Sequence, residues 1–239
     1  MHPFSSAVVT YWDGLFRYGI PVPTASGFSL VINPHLTTER RAMVLVTPNG
    51  TMRAAVSPCI ASTVGITSDS PAITLQWLRE ALHAAGVEMH APDVIYHVPV
   101  TGLSATQGNA SAEVRQLTPE DAVLFDGFMA QISQSDQDDA SVEAGHWAAF
   151  GAFAESELLA VSSLYPWGGA AIADMGVLTM PRARGKGLAA SLVRAMIEYA
   201  GKCGYEAQYR CQFDNVASNR LAASLGLASY GKWEVACSP

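Results

Sequence analysis

The segment from Ala170 to Gly201 constrains the fold more than any other part of the chain. It opens as a β-rich run, Ala170 to Thr179, and passes through Pro181-Arg182-Ala183-Arg184-Gly185-Lys186-Gly187-Leu188-Ala189. Leu188, Leu192, Val193, Met196, Ile197 and Ala200 then recur at the spacing of one helix face, which predicts a helix ending at Gly201. A strand that feeds a helix through a glycine-rich turn defines an α/β unit. The start of such a helix carries unpaired amide N–H groups and partial positive charge, so it stabilises anions. Gly185 and Gly187 let a charged group approach the backbone, and Arg184 and Lys186 add full charges. The chemistry this suits is a diphosphate cradle. The GxxxxGK[ST] pattern of a Walker loop and the GxGxxG pattern of a dinucleotide fold are both missing from the segment.

Around it the elements can be laid out from periodicity and turn chemistry. Ser6 to Tyr18 carries Val9, Trp12, Leu15 and Phe16 on a helical face and stops near Gly19. Phe28 to Ile32 reads as a strand, and Ala42 to Thr47, Pro48-Asn49-Gly50-Thr51 and Met52 to Val56 read as a hairpin. Ser70 before Pro71 predicts an N-cap for a helix running through Leu75, Leu78 and Leu82 to Gly86, with a strand at Val94 to Val98. This first part has α/β character and no motif that names its role. The polar, small-residue stretch Ser104 to Ser111 is expected to be a linker, dividing a domain at 1–103 from one at 112–239.

Past the linker, Glu113 to Leu117 reads as a strand, and Thr118 caps a helix with an acidic residue at its third position. Trp147 to Phe153 and Leu158 to Leu164 predict two antiparallel strands. After the Gly201 helix come a strand at Gln208 to Phe213, a helix at Ala217 to Leu225 closed by Gly226, and a strand at Tyr230 to Ala236.

Composition removes several function classes. Hydrophobic residues make up 49% of the chain and charged residues 15%, far from a disordered profile. The formal net charge of −7 opposes a nucleic-acid surface, which needs clustered Lys and Arg. Cys59, Cys203, Cys211 and Cys237 have no zinc-ligand spacing and are expected to be reduced thiols, with no metal site. No run approaches the ~20 apolar residues of a membrane span, so no membrane partner is expected and a cytoplasmic location is.

Two signatures now combine. Arg184-Gly185-Lys186-Gly187-Leu188-Ala189 resembles the R-x-x-G-x-G/A loop of GNAT N-acetyltransferases, with a strand and a proline before it and an amphipathic helix after it. Asn215-Val216-Ala217-Ser218-Asn219-Arg220-Leu221, continuing through Leu225-Gly226-Leu227, is similar to that family's N-x-x-S-x-x-L element with its leucine-glycine pair. The resemblance covers about residues 113 to 239. It implies an α/β (α+β) fold with a mixed, mostly antiparallel central sheet flanked by helices, joined here to a smaller N-terminal α/β domain.

The resemblance further implies acetyl-CoA as co-substrate and direct transfer of its acetyl group to a primary amine of a small molecule or peptide. Val177, Leu178 and Thr179 would meet the pantetheine arm through backbone groups. Amides from Arg184 through Gly185, Lys186, Gly187, Leu188 and Ala189 would hold the pyrophosphate, and Asn215 and Ser218 would contact the cofactor arm. Asn215 also reads as an ordinary helix N-cap.

The catalytic set departs from the family pattern. The usual tyrosine acid falls on Ala222, and the commonly used acidic position falls on Ala173, one residue from Asp174 and so on the opposite face of the strand. Candidate proton carriers are Asp174, His146 and Tyr230, with Tyr209 and Ser218 as other hydroxyls. For the acceptor, Asp138, Asp139 and Glu143 belong with Asp136 to an acidic cluster, and Trp167 and Trp147 are candidate pocket walls. The same acidic residues also read as a solvated loop, and the tryptophans as core or sheet-edge aromatics. A non-catalytic acyl-CoA-binding or regulatory module is the alternative, and a homodimer is an open option. The N-terminal domain is read either as shaping the acceptor cleft or as a dimerisation surface.

Overall fold

The alternating and near-continuous apolar runs become strands, and the runs with a 3.6-residue period become helices. A computed structural model describes residues 3–104 and 113–238, so the expected linker, apart from Ser104, lies outside the described residues. In chain order the elements begin with α1 (Ser6–Arg17), β1 (Ile20–Val22), β2 (Phe28–Ile32), β3 (Ala42–Val46), β4 (Met52–Val56), α2 (Pro58–Val64), α3 (Leu75–Ala84) and β5 (Asp93–His97). They continue with β6 (Glu113–Gln116), α4 (Ala122–Met129), α5 (Gln134–Ala140), β7 (Ala148–Ala154), β8 (Glu157–Pro166) and β9 (Ile172–Thr179). The last are α6 (Leu188–Lys202), β10 (Glu206–Gln212), α7 (Val216–Leu225) and β11 (Ala228–Val235). Most strand pairings are antiparallel, so the fold is the mixed α/β kind expected. Among the described residues no helix is long and apolar enough to cross a membrane.

The chain divides into two compact units that interleave in sequence. One comprises Val9–Ile95, Gln212–Asp214 and Ser229–Pro239, and the other Met1–Val8, Tyr96–Cys211 and Asn215–Ala228. In the first unit β1 pairs antiparallel with β2, β2 parallel with β4, β4 antiparallel with β3, and β3 antiparallel with β11. Its sheet is therefore completed by the C-terminal strand, and Ala236 joins Leu30, Val44, Val56, Leu78 and Leu82 in one buried core. Two helices of this unit differ from the sequence expectation, α3 in its start and α2 in being there. α3 starts at Leu75 under a Thr74 cap, because the Ile73 amide and carbonyl are bonded to Pro23 and Ala25 and cannot enter a helix. The short α2 begins at a Ser57 cap with Pro58 in its first turn, the same serine-proline signal expected at Ser70.

In the second unit the strands run β10-β9-β8-β7-β6, with β9 and β10 parallel and the rest antiparallel. The capping box at Thr118 and Asp121 opens the turn before α4, as the sequence suggested. Phe150 packs edge-on against Tyr199 of α6 and is register-paired with Ser162, itself paired with Val177. The odd-numbered residues of β9 thus face α6. The even-numbered face carries α5: a Cβ on Gly176 would lie 1.9 Å from the Ala140 carbonyl oxygen, so only glycine lets α5 end there.

Candidate functional site

The central feature of the second unit is where two parallel strands part. β9 and β10 are in register from Ile172↔Glu206 to Met175↔Tyr209, and the ladder ends there although both strands continue. Which backbone groups this frees follows from the other edge of β9. The Trp167 amide donates to the Ile172 carbonyl (2.8 Å) and the Met180 amide to the Leu159 carbonyl (2.9 Å), so even-numbered residues direct their backbone groups at β8. Odd-numbered residues direct theirs towards β10. Past Met175 the backbone groups of Val177 and Thr179 therefore face the gap, while Leu178 is turned to β8.

Directly beyond, the chain makes a short 3₁₀ turn at Pro181–Ala183 and enters α6 through Gly185 and Gly187, both at φ +77°. Helices α2, α3, α5 and α7 take side-chain caps from Ser57, Thr74, Ser133 and Asn215. α6 starts at Gly187 with no side-chain cap and no acidic residue in its first turn. Fifteen residues of aligned peptide dipoles end on amides open to an anion. Lys186 is exposed beside them, Leu188 is buried as the first core residue of the helix, and Ala189 is half-buried. Arg184 is exposed too: its Nη2 donates to Asp136 Oδ2 (3.1 Å) and its Nε to the Thr179 carbonyl (3.4 Å).

Asn215 caps α7, its Oδ1 accepting from the Ser218 amide at 3.0 Å. Ser218 is hydrogen-bonded to Tyr209, whose hydroxyl is pushed well above its usual value by burial. Ala222 is fully buried in the core, so a tyrosine there would have no room without displacing its neighbours.

On the even face of β9 a polar cluster spans three strands. Asp174 is 3% exposed, and its carboxylate accepts from Gln208 Nε2 (2.9 Å), Tyr165 Oη (3.0 Å) and Arg210 Nε and Nη2 (3.3 and 3.2 Å). Burial and the Asp174 charge push the Tyr165 hydroxyl up to about 12, which keeps it protonated and donating. The Arg210 guanidinium lies 4.7 Å over the Trp167 ring. Next to Tyr165 stands His146, ring centroids 4.5 Å apart, with Nδ1 2.8 Å from Ser163 Oγ and Nε2 3.7 Å from Glu143 Oε2.

The structure thus brings together His146, Asp174, Trp167 and Glu143 from the sequence candidates. Tyr165, Ser163, Gln208 and Arg210 complete the cluster; their signal is the alternation that places 163 and 165 on one face of β8 and 208 and 210 on one face of β10. Trp147 packs with Tyr199 and Tyr205 and not with this cluster. Asp138 and Asp139 are exposed on α5, a helix and not the loop expected, formed because Ser133 caps it and bonds reciprocally with Asp136. Tyr230 belongs to the first unit, where its hydroxyl donates to Asp13 Oδ1 at 3.0 Å beside Arg53. No group of three or more His, Cys, Asp or Glu residues among the described residues is placed to hold a metal ion.

Comparison with known proteins defines the class. Residues 113–227 match the model of the acetyltransferase (GNAT) family. No curated protein matches the chain significantly. Among solved structures, a GNAT acetyltransferase from Colwellia psychrerythraea aligns at 17% identity and TM-score 0.49, over 68% of this chain and 61% of its own length. One from Novosphingobium aromaticivorans aligns at 18% identity and TM-score 0.47, over 77% and 81%. An aminoglycoside N-acetyltransferase in complex with CoA aligns at 19% identity and TM-score 0.40, over 49% and 92%.

Proposed function

We propose that the protein transfers the acetyl group of acetyl-CoA to a primary amine of a small molecule or peptide. The observation that carries this reading is the parting of β9 and β10 immediately before an uncapped, glycine-opened helix start. Such a gap suits an extended arm bonded to the Val177 and Thr179 backbone, and the helix start suits the diphosphate at its end, held by amides from Gly185 to Ala189 with Arg184 and Lys186 beside them. Asn215 contributes through the cap that sets the first turn of α7. Held this way, the thioester carbon would lie in the gap, where an amine can add to the face of its carbonyl.

Isothermal titration with acetyl-CoA tests the first half, and thiol release in the presence of a panel of amines the second. No heat at millimolar acetyl-CoA would sink the cofactor reading. Binding without thiol release for any amine would favour an acyl-CoA-binding regulatory module instead.

A further inference from the structure

We infer that His146 takes the proton from the acceptor's ammonium group, and that Ser163 and Glu143 are the positioning residues that set it for this task; the inference rests on the acetyl-transfer reading above. Ser163 is fully buried and register-paired with Gly176, the residue before Val177, so the imidazole is anchored on β8, level with the start of the gap and across β9 from it. Ser163 Oγ also accepts from the Glu143 amide at 3.1 Å, which ties the loop before β7 to the central sheet. With Nδ1 bonded to Ser163, Nε2 is the nitrogen left to the acceptor, and the Glu143 carboxylate stabilises the imidazolium it becomes.

The groups that face this imidazole come from three strands as well as its own loop. Tyr165 of β8 stacks on the ring and passes its hydroxyl to Asp174 of β9, which is held by Arg210 of β10. Asp174 itself is engaged elsewhere. It accepts from Gln208, Tyr165 and Arg210 and is the ion-pair partner of Arg210.

The reaction balances without further reagents. An ammonium N–H bond breaks, its electron pair stays on nitrogen, and the proton moves to His146 Nε2 and leaves to water past the exposed Glu143. The freed amine forms a bond to the thioester carbon, the C–S bond breaks, and the second proton of the nitrogen neutralises the departing thiolate.

The test measures thiol release with acetyl-CoA and spermidine, with a panel of other primary amines as further probes, from about pH 5.5 to about 9.5, where imidazoles and amines titrate. His146→Gln is expected to lower kcat/KM about 10²- to 10⁴-fold at neutral pH. Its rate should then climb about tenfold per pH unit with the fraction of free amine, and its acetyl-CoA affinity should be unchanged. Glu143→Gln, at an exposed side chain, should lower kcat while acetyl-CoA affinity is kept, because the imidazolium loses the carboxylate 3.7 Å from its Nε2. Ser163→Ala should lower kcat while acetyl-CoA affinity is kept. A wild-type pH profile in His146→Gln, or an unchanged kcat in Glu143→Gln, overturns the inference while leaving the transfer reading intact. A wild type that binds no acetyl-CoA, or one that binds it but acetylates no amine, overturns the transfer reading and the role of His146 with it.

Discussion

Asp136→Asn is expected to tighten acetyl-CoA binding. In the structure Arg184, one of the residues proposed to face the diphosphate, is held by Asp136 through a contact of 3.1 Å. A diphosphate that engages Arg184 must first displace that carboxylate. The two side chains are 55% and 41% exposed, so the pair is of the solvent-screened kind, worth about 0.2–1 kcal/mol. Removing the competitor should therefore lower the dissociation constant by a factor of about 1.4 to 5, from RT of about 0.59 kcal/mol. Titration calorimetry at low ionic strength resolves this, and the gain should shrink towards physiological salt. A second effect must be separated: losing a negative charge near an anion site helps through space whatever Arg184 does. The Arg184→Ala background isolates it, because a through-space effect persists there and the competition does not. Unchanged or weaker binding by Asp136→Asn, or an equal gain with Arg184 absent, would refute the reasoning.

Three further outcomes follow from single positions. Gly187→Val should weaken acetyl-CoA binding at least roughly tenfold, read by calorimetry, because φ +77° is strained by on the order of 1–2 kcal/mol for a residue with a side chain and the branched group stands at the anion site. Gly176→Ala should lower the melting temperature, since its Cβ would meet the Ala140 carbonyl oxygen at 1.9 Å and separate α5 from β9, at a cost of about 1–3 kcal/mol or more. His97, with Nδ1 3.0 Å from the Ala207 carbonyl oxygen, has its imidazole pushed down to about 4 by burial. An unfolded imidazole titrates at about 6.5, so the unfolded state binds more protons in between, and about 3 kcal/mol of stability present above that range is lost as pH falls to about 4. Denaturant unfolding across this range should show the loss, and His97→Gln should remove it.

The elements legible in the sequence are those whose signal is local. The α6 stripe from Leu188 to Ala200 could be read because one face of a long helix meets one sheet, and the β3–β4 hairpin because Pro48-Asn49-Gly50-Thr51 specifies its own turn. The Ser70-Pro71 start misled because whether a serine caps a helix depends on what the next amides bond to. Pro23 and Ala25, almost fifty residues away, hold Ile73 extended. α5 has no apolar stripe to detect: Gln134 to Asp139 is polar throughout, and its order comes from a cap and from a landing place at a glycine. The glycine turn into α6 could be read in the same local way, since glycines and a helix start sit side by side in the chain. The polar cluster could not. Ser163, Tyr165, Asp174, Gln208 and Arg210 lie on three strands, and only their register makes them neighbours.

That cluster also bears on the alanine at the position where the family resemblance expects a tyrosine acid. Among the hydroxyls considered in its place, Tyr230 is committed to Asp13 in the other unit, and Tyr209 is buried and bonded to Ser218. Burial raises the Tyr209 hydroxyl above its ordinary value, so giving its proton to a thiolate, whose conjugate acid titrates at about 8.5, would run uphill. The proposed transfer has a better source. Once the amine nitrogen is bonded to the thioester carbon it carries positive charge and a far more acidic proton, and the sulfur leaves from that same carbon. Proton and thiolate are thus generated within one adduct. The residue the proposed reaction depends on is then the one that makes the amine neutral beforehand, the role inferred above for His146.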